Sequence, residues 1–198
     1  PPALVDALVP DAHLNAAVAG IRGLGGAGLR VMAVGPSWTA AGLWSRHTTA
    51  RAISPSIVGD GVGYTDRLRA LASESGPLVI YPSREETIDA MLAERSSWDG
   101  VILPFPTAGV LDRVRDKARL VETADVSGID TPESLFRGPA RMLRTERFPG
   151  SVVVKPARPV SSLKTARLAR DATELKTILE PVRDDDLLIV QEHVRGPI

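Results

Sequence analysis

The most constraining feature of this 198-residue chain is an alternation confined to its first hundred residues. Short apolar runs at 4–9, 29–34, 50–53, 78–81 and 101–103 take turns with segments of helical spacing. In the first such segment, 13–27, Leu14, Ala17, Val18, Ile21 and Leu24 recur at i, i+3, i+4, i+7 and i+10. Residues 64–74 bring Leu68 and Leu71 to one side, and 84–95 form a further helix. Strands separated by helices imply βαβ units with right-handed crossovers, hence a parallel sheet. The expectation is an α/β domain of four or five strands with helices on both faces.

After Pro104-Phe105-Pro106 the alternation stops. One helix is expected over 111–126, ended by Ser127-Gly128, and another over 140–147. Val152, Val153, Val154 and Lys155 form a strand, 167–169 pairs back on it, and 187–191 is the last strand. Asp171, with Glu174 three residues on, makes a capping box for a helix reaching Glu180. Two strands, a helix and a strand without regular alternation suggest a small antiparallel α+β unit. The boundary falls near residue 106, giving domains 1–105 and 106–198.

Several function classes are excluded by composition. Lys+Arg and Asp+Glu both number 24, so no net field draws in nucleic acid or anionic lipid. No apolar run approaches the roughly 18 residues of a membrane helix. The absence of cysteine excludes disulfides, thiolate metal sites and cysteine nucleophiles, and suits a reducing, cytoplasmic setting. His13, His47 and His193 lack metal-ligand spacing. The chain starts at Pro1-Pro2-Ala3 and stops at Ile198, just after an apolar strand, so it is expected to be part of a longer protein.

Gly23-Leu24-Gly25-Gly26-Ala27-Gly28 satisfies the dinucleotide pattern G-x-G-x-x-G, but in the wrong context. Those glycines bind pyrophosphate when they follow a strand and open a helix, where free N–H groups and the positive helix end meet the anion. Here they close a helix, at its carbonyl-rich end, with Gly25 and Gly26 as the cap. The acidic residue that a nicotinamide-dependent oxidoreductase needs about 20 positions later is also missing from 46–52. The loop placed to meet a ligand is Pro10-Asp11-Ala12-His13, at the carboxyl end of the first strand.

Two lysines stand in unusual places. Lys117 follows Asp116 in an amphipathic helix, and Lys155 ends an apolar strand before Pro156. Paired, they are suited to a polyphosphate as point charges. The order of the pieces adds weight: an α/β domain, Asp116-Lys117, Gly128-Ile129-Asp130-Thr131-Pro132, then Val152-Val153-Val154-Lys155-Pro156. A serine-containing loop, a helix and Val190-Gln191-Glu192-His193-Val194 complete it. This order, over the whole chain, resembles the ATP-grasp superfamily, which includes biotin carboxylase, carbamoyl-phosphate synthase and D-alanine ligase.

The resemblance implies a Rossmann-like pre-ATP-grasp domain over 1–105 and the first, lid-bearing part of an ATP-grasp domain over 106–198. It implies ATP as cofactor, with Lys117 and Lys155 on the phosphates and Gln191, Glu192 and Val194 forming the segment that reads adenine. Ser161 and Ser162 would offer hydroxyls and amides to the phosphates. The activity implied is activation of a carboxylate or bicarbonate as an acyl phosphate for attack by an amine. Its partners are those small molecules, with no nucleic acid or membrane, and a homodimer is compatible with the sequence. Three departures stand out. The loop Ala157-Arg158-Pro159-Val160-Ser161-Ser162-Leu163-Lys164 has none of the family's glycines. Ile198 stands where many relatives carry a ribose-binding glutamate. The carboxylates and asparagine that hold Mg²⁺ would lie well beyond residue 198, so Mg²⁺ is expected in a full-length protein and residues 1–198 alone are expected to be inactive. A degenerate nucleotide-binding or scaffolding module is the alternative.

Overall fold

Consecutive residues of a strand face opposite ways, and in the first half of the chain both directions are apolar. The structure, a computed structural model, describes residues 4–158 and 161–194. The chain divides into two compact units, Pro1–Ala108 and Gly109–Ile198.

In the first unit the elements run β1 (Ala7–Val9), α1 (Asn15–Gly26), β2 (Val31–Gly35), β3 (Thr48–Ile53), α2 (Gly61–Ser75), β4 (Val79–Ile80) and α3 (Glu85–Ala93). The strands form one parallel sheet in the order β3-β2-β1-β4. Met32 and Val34 pack with Tyr64, Leu68 and Leu71 of α2 and Met91 of α3. Val31 and Ala33 pack the other way, with Ala17 and Ile21 of α1 and Leu43 of a 3₁₀ turn. Helices therefore cover both faces, as the alternation requires. The expected strand at 101–103 shrinks to one parallel bridge, Ile102 with Val79.

The glycines after residue 22 lie at the C-terminal end of α1. The left-handed position is not Gly25 or Gly26 but Gly28, at φ 87°. Gly25 serves a different need, because a Cβ there would stand 2.6 Å from the Cβ of His47. No helix among the described residues is long and apolar enough to cross a membrane.

The second unit contains α4 (Ala108–Arg115, whose first residue closes the first unit), α5 (Lys117–Val126), β5 (Ser134–Pro139), α6 (Ala140–Leu143), β6 (Val152–Pro156), β7 (Arg167–Ala169), α7 (Ala172–Leu179) and β8 (Leu187–Glu192). Its sheet is antiparallel, in the order β5-β8-β6-β7. Val152, Val154, Leu188 and Val190 pack against Leu143 of α6 and Leu175 and Leu179 of α7. Lys155, Ile189 and Gln191 lie on the opposite face by the register.

The expected helix over 111–126 is two helices, broken at Asp116. Asp116 leaves the helical conformation, and its carboxylate accepts from the backbone N–H of Ala118 and Arg119 as the N-cap of α5. The helix expected over 140–147 is one turn, and Arg144 beyond it donates to the carbonyls of Leu179 and Val182, satisfying the end of α7. Asp171 caps α7 as expected, but Glu174 reaches back to the N–H of Arg170, one residue earlier than a capping box requires.

Candidate functional site

The face of the antiparallel sheet on which the start of α5 packs carries Lys155 and Gln191. Lys155 Nζ donates to Gln191 Oε1 at 2.7 Å, diagonally across β6 and β8. The Gln191 amide is oriented in turn, because its Nε2 donates to the Pro132 carbonyl at 3.1 Å. Gln191 is buried while Lys155 is half-buried, so the lysine is held in place and remains partly exposed. The first turn of α5 belongs to the same face: Ala118 packs with Ala157 and Ile189, and the Lys117 N–H donates to the Ala157 carbonyl at 3.0 Å. The two lysines thus sit on one assembly of β6, β8 and the start of α5.

Asp116 ties this assembly together. Besides capping α5, its Oδ2 accepts from Arg158 Nε at 3.3 Å and Nη2 at 3.2 Å. Burial opposes the Asp116 charge, but the backbone N–H groups and the Arg158 guanidinium outweigh it and hold the pKa below the ordinary value.

At the start of β8 a second anchor holds the loop that follows β6. Asp186 Oδ2 accepts from Ser161 Oγ at 3.2 Å, from Ser162 N at 2.7 Å and from Ser162 Oγ. Arg183 Nη2 donates to Asp186 Oδ1 at 3.2 Å. The Asp186 side chain is only 10% exposed. Burial alone would raise its pKa, but the Ser162 hydroxyl and amide and the Arg183 charge bring it down to about 2. A cavity of about 220 Å³ opens beside it, lined by Arg158, Ser161, Arg183, Asp185, Asp186 and Leu187. A wider cavity of about 600 Å³ between β7 and α7 is lined by Ser162 and Lys164 of the same loop and includes neither Lys117 nor Lys155.

At the other end of β8, Glu192 N donates to the Glu133 carbonyl and the Glu192 carboxylate accepts from Glu133 N. His193 is fixed to Ser151 through both its backbone N–H and its ring. Val194 is exposed, and its N–H makes no hydrogen bond to a described residue. From Asp186 to Gln191 is five strand residues, roughly 17 Å at the usual rise. The predicted residues therefore fall into two groups along β8: Ser161 and Ser162 at its start, and Gln191, Glu192 and Val194 at its end. Lys155 bonds to the Gln191 group. Ile198 lies outside the described residues.

The first unit holds a polar cluster that the sequence hid. Asp11, in the loop named above, has φ 57° and is buried; its Oδ2 accepts from Tyr64 Oη at 2.9 Å and Thr87 Oγ1 at 2.7 Å. Burial and the Asp11 charge push the Tyr64 hydroxyl far above its ordinary pKa. Ser83 Oγ, in the loop before α3, is buried with no hydrogen-bond partner. Tyr64 opens the helical segment 64–74, and spacing along the chain gives its hydroxyl no partner. No group of three or more His, Asp or Glu side chains that could hold a metal ion occurs among the described residues.

A four-stranded parallel sheet followed by a four-stranded antiparallel sheet is a fold that this chain shares with solved structures of biotin carboxylases and of an L-amino acid ligase. Among solved structures it is similar to the biotin carboxylase of Campylobacter jejuni in complex with βγ-ATP, at a TM-score of 0.67 and 12% identity, over 98% of this chain and 46% of that one. The L-amino acid ligase of Bacillus licheniformis matches at a TM-score of 0.65 and 17% identity, over 97% and 47% of the two chains. The biotin carboxylase domain of Hydrogenobacter thermophilus 2-oxoglutarate carboxylase, in complex with MgADP, ADP and bicarbonate, matches at 0.59 and 19%, over 96% and 45%. The chain spans less than half the length of each. No family model matches it, and no curated protein matches it in sequence.

Proposed function

We propose that this chain is the ATP-binding portion of an ATP-grasp ligase that activates a carboxylate or bicarbonate as an acyl phosphate for attack by an amine. The observation that carries the reading is the Lys155–Gln191 pair on the face of the antiparallel sheet that meets the start of α5. A buried glutamine that fixes a half-exposed lysine presents one positive charge in a set direction, as phosphate binding requires. Lys155 and Lys117 bind phosphate oxygens. The exposed backbone around Val194 meets the adenine edge, with Gln191 and Glu192 holding that strand end in place, and Ser161 and Ser162 supply phosphate donors from the loop. The Mg²⁺ that neutralises the transferring phosphate is held, on this reading, by the part of such a ligase that the chain does not span, so residues 1–198 alone bind nucleotide without turning it over.

Calorimetric titration tests this. ATP binds the chain, and Lys155→Met weakens binding about tenfold, the loss of one charge-assisted contact worth roughly 1.4 kcal/mol. Equal affinity in the variant overturns the role of Lys155. Hydrolysis of MgATP by the chain at ligase-like rates overturns the expected inactivity. A scaffolding module is favoured by one observation, the glycine-free loop whose serines are already engaged, and absence of ATP binding in the full-length protein would establish it.

A further inference from the structure

The donors expected to face phosphate are already facing an anion, and it belongs to the protein. Ser161 Oγ, Ser162 N and Ser162 Oγ converge on one carboxylate oxygen, Asp186 Oδ2. Two hydroxyls and a backbone N–H directed at one oxygen are the donor set that binds phosphate oxygens elsewhere. Arg183 adds a positive charge from its own side, and its N–H donates to Ser162 Oγ at 3.1 Å, so the serine hydroxyl is oriented toward the carboxylate. The remaining basic group, Arg158, lines the same cavity and is turned to Asp116. Arg158 is thus held by Asp116, and the two serines by Asp186. The cavity of about 220 Å³, lined by Arg158, Ser161 and Arg183 together with Asp185, Asp186 and Leu187, has room for a phosphate group.

We propose that the cavity bounded by Arg158, Ser161 and Arg183 is a phosphate site whose donors Asp186 occupies in the unliganded protein, so that a phosphate-bearing ligand enters by displacing the Asp186 carboxylate. Asp186 is a built-in competitor. It holds Ser161 and Ser162, and it supplies a threshold that only a polyanion with additional contacts overcomes. This proposal rests on the nucleotide reading for the identity of the ligand, and not for the existence of the site.

The test uses Asp186→Ala and the shape-preserving Asp186→Asn in the 198-residue chain, with inorganic tripolyphosphate and ATP as separate probes. Hydrogen exchange at the Ser162 amide becomes at least tenfold faster in Asp186→Ala, since its acceptor is gone. Tripolyphosphate binds both variants about tenfold more tightly than the parent, the gain expected if the free donor set is populated about a tenth of the time before substitution. Should Asp186→Ala fail to fold, Asp186→Asn carries the same comparison, because it removes the charge and keeps the volume. Tripolyphosphate affinity that is unchanged or weaker in the folded variant overturns the proposal and makes Asp186 a simple loop anchor. Tight tripolyphosphate binding without ATP binding leaves the site standing and breaks the nucleotide reading, so the two failures are distinguishable.

Discussion

The parallel and the antiparallel sheet place their polar groups in different ways, and the reason is how many faces each has covered. In the first unit helices pack on both faces, so β2 turns apolar side chains in both directions and polar groups are pushed to the strand ends. Asp11 sits there, after β1, and is sealed by two hydroxyls. In the second unit α6 and α7 cover only one face. On the other face, where the start of α5 packs, Lys155 and Gln191 pair across neighbouring strands. The comparison teaches that the same residue type has opposite prospects in different strands: a lysine has a place on the Lys155 face of β6 and none on either face of β2.

The sharpest way to break this contrast is to put a lysine on each face of each sheet. Met32→Lys, Ala33→Lys and Val154→Lys all point into packed cores and should each cost about 3–5 kcal/mol, the penalty of an unpaired buried charge. Val153→Lys, half-buried on the opposite face beside Gln191, should cost less than about 0.5 kcal/mol. Urea unfolding, followed unit by unit through hydrogen exchange, reads all four. If Val153→Lys proves as damaging as Val154→Lys, the two faces of β6 do not differ.

A smaller effect separates the two polar clusters. Tyr64→Phe removes one of two donors from a buried carboxylate and should cost about 1–3 kcal/mol. Gln191→Met frees Lys155, which is half-exposed and can turn to water, so it should cost less than Tyr64→Phe in the same unfolding experiment. The reverse order would mean that the lysine, and not Asp11, depends on its partner for burial.

The finest distinction is electrostatic. Asp6 of the first unit, hydrogen-bonded to Arg30, and Asp186 of the second both have pKa values brought down from 3.8 to about 2. A depressed folded-state pKa contributes stability above the unfolded value, so both contributions are intact above about pH 4 and fade as the pH falls toward 2. Their causes differ. Asp6 owes its shift to Arg30, in a pair whose side chains are 32% and 53% exposed. Asp186 owes its shift first to the Ser162 hydroxyl and amide, against the opposing effect of burial. Carboxyl NMR titration in 1 M salt should therefore raise the Asp6 pKa more than that of Asp186, because salt weakens an exposed ion pair more than hydrogen bonds to a buried carboxylate. Equal salt shifts would remove the distinction.

The sequence by itself determined the two kinds of sheet, the helices between the strands and the standing of Lys155, since periods of 2 and 3.6 and a lysine after three valines are properties of neighbouring residues. It also placed the glycines after residue 22 at the wrong end of a helix for pyrophosphate. Asp116 shows where local reading stops: amphipathic spacing ran straight through it, and only Arg158, 42 residues away, together with the two N–H groups it caps, explains the break. Nothing in Asp184-Asp185-Asp186 distinguishes the third carboxylate, which becomes special only when folding sets it against Ser162, 24 positions earlier. Asp11 and Thr87 are 76 positions apart and meet because β1 and β4 are neighbours in the sheet. Spacing along the chain fixes which face a side chain takes. Which charge that face finally meets is decided by segments distant in sequence, and so only by the tertiary structure.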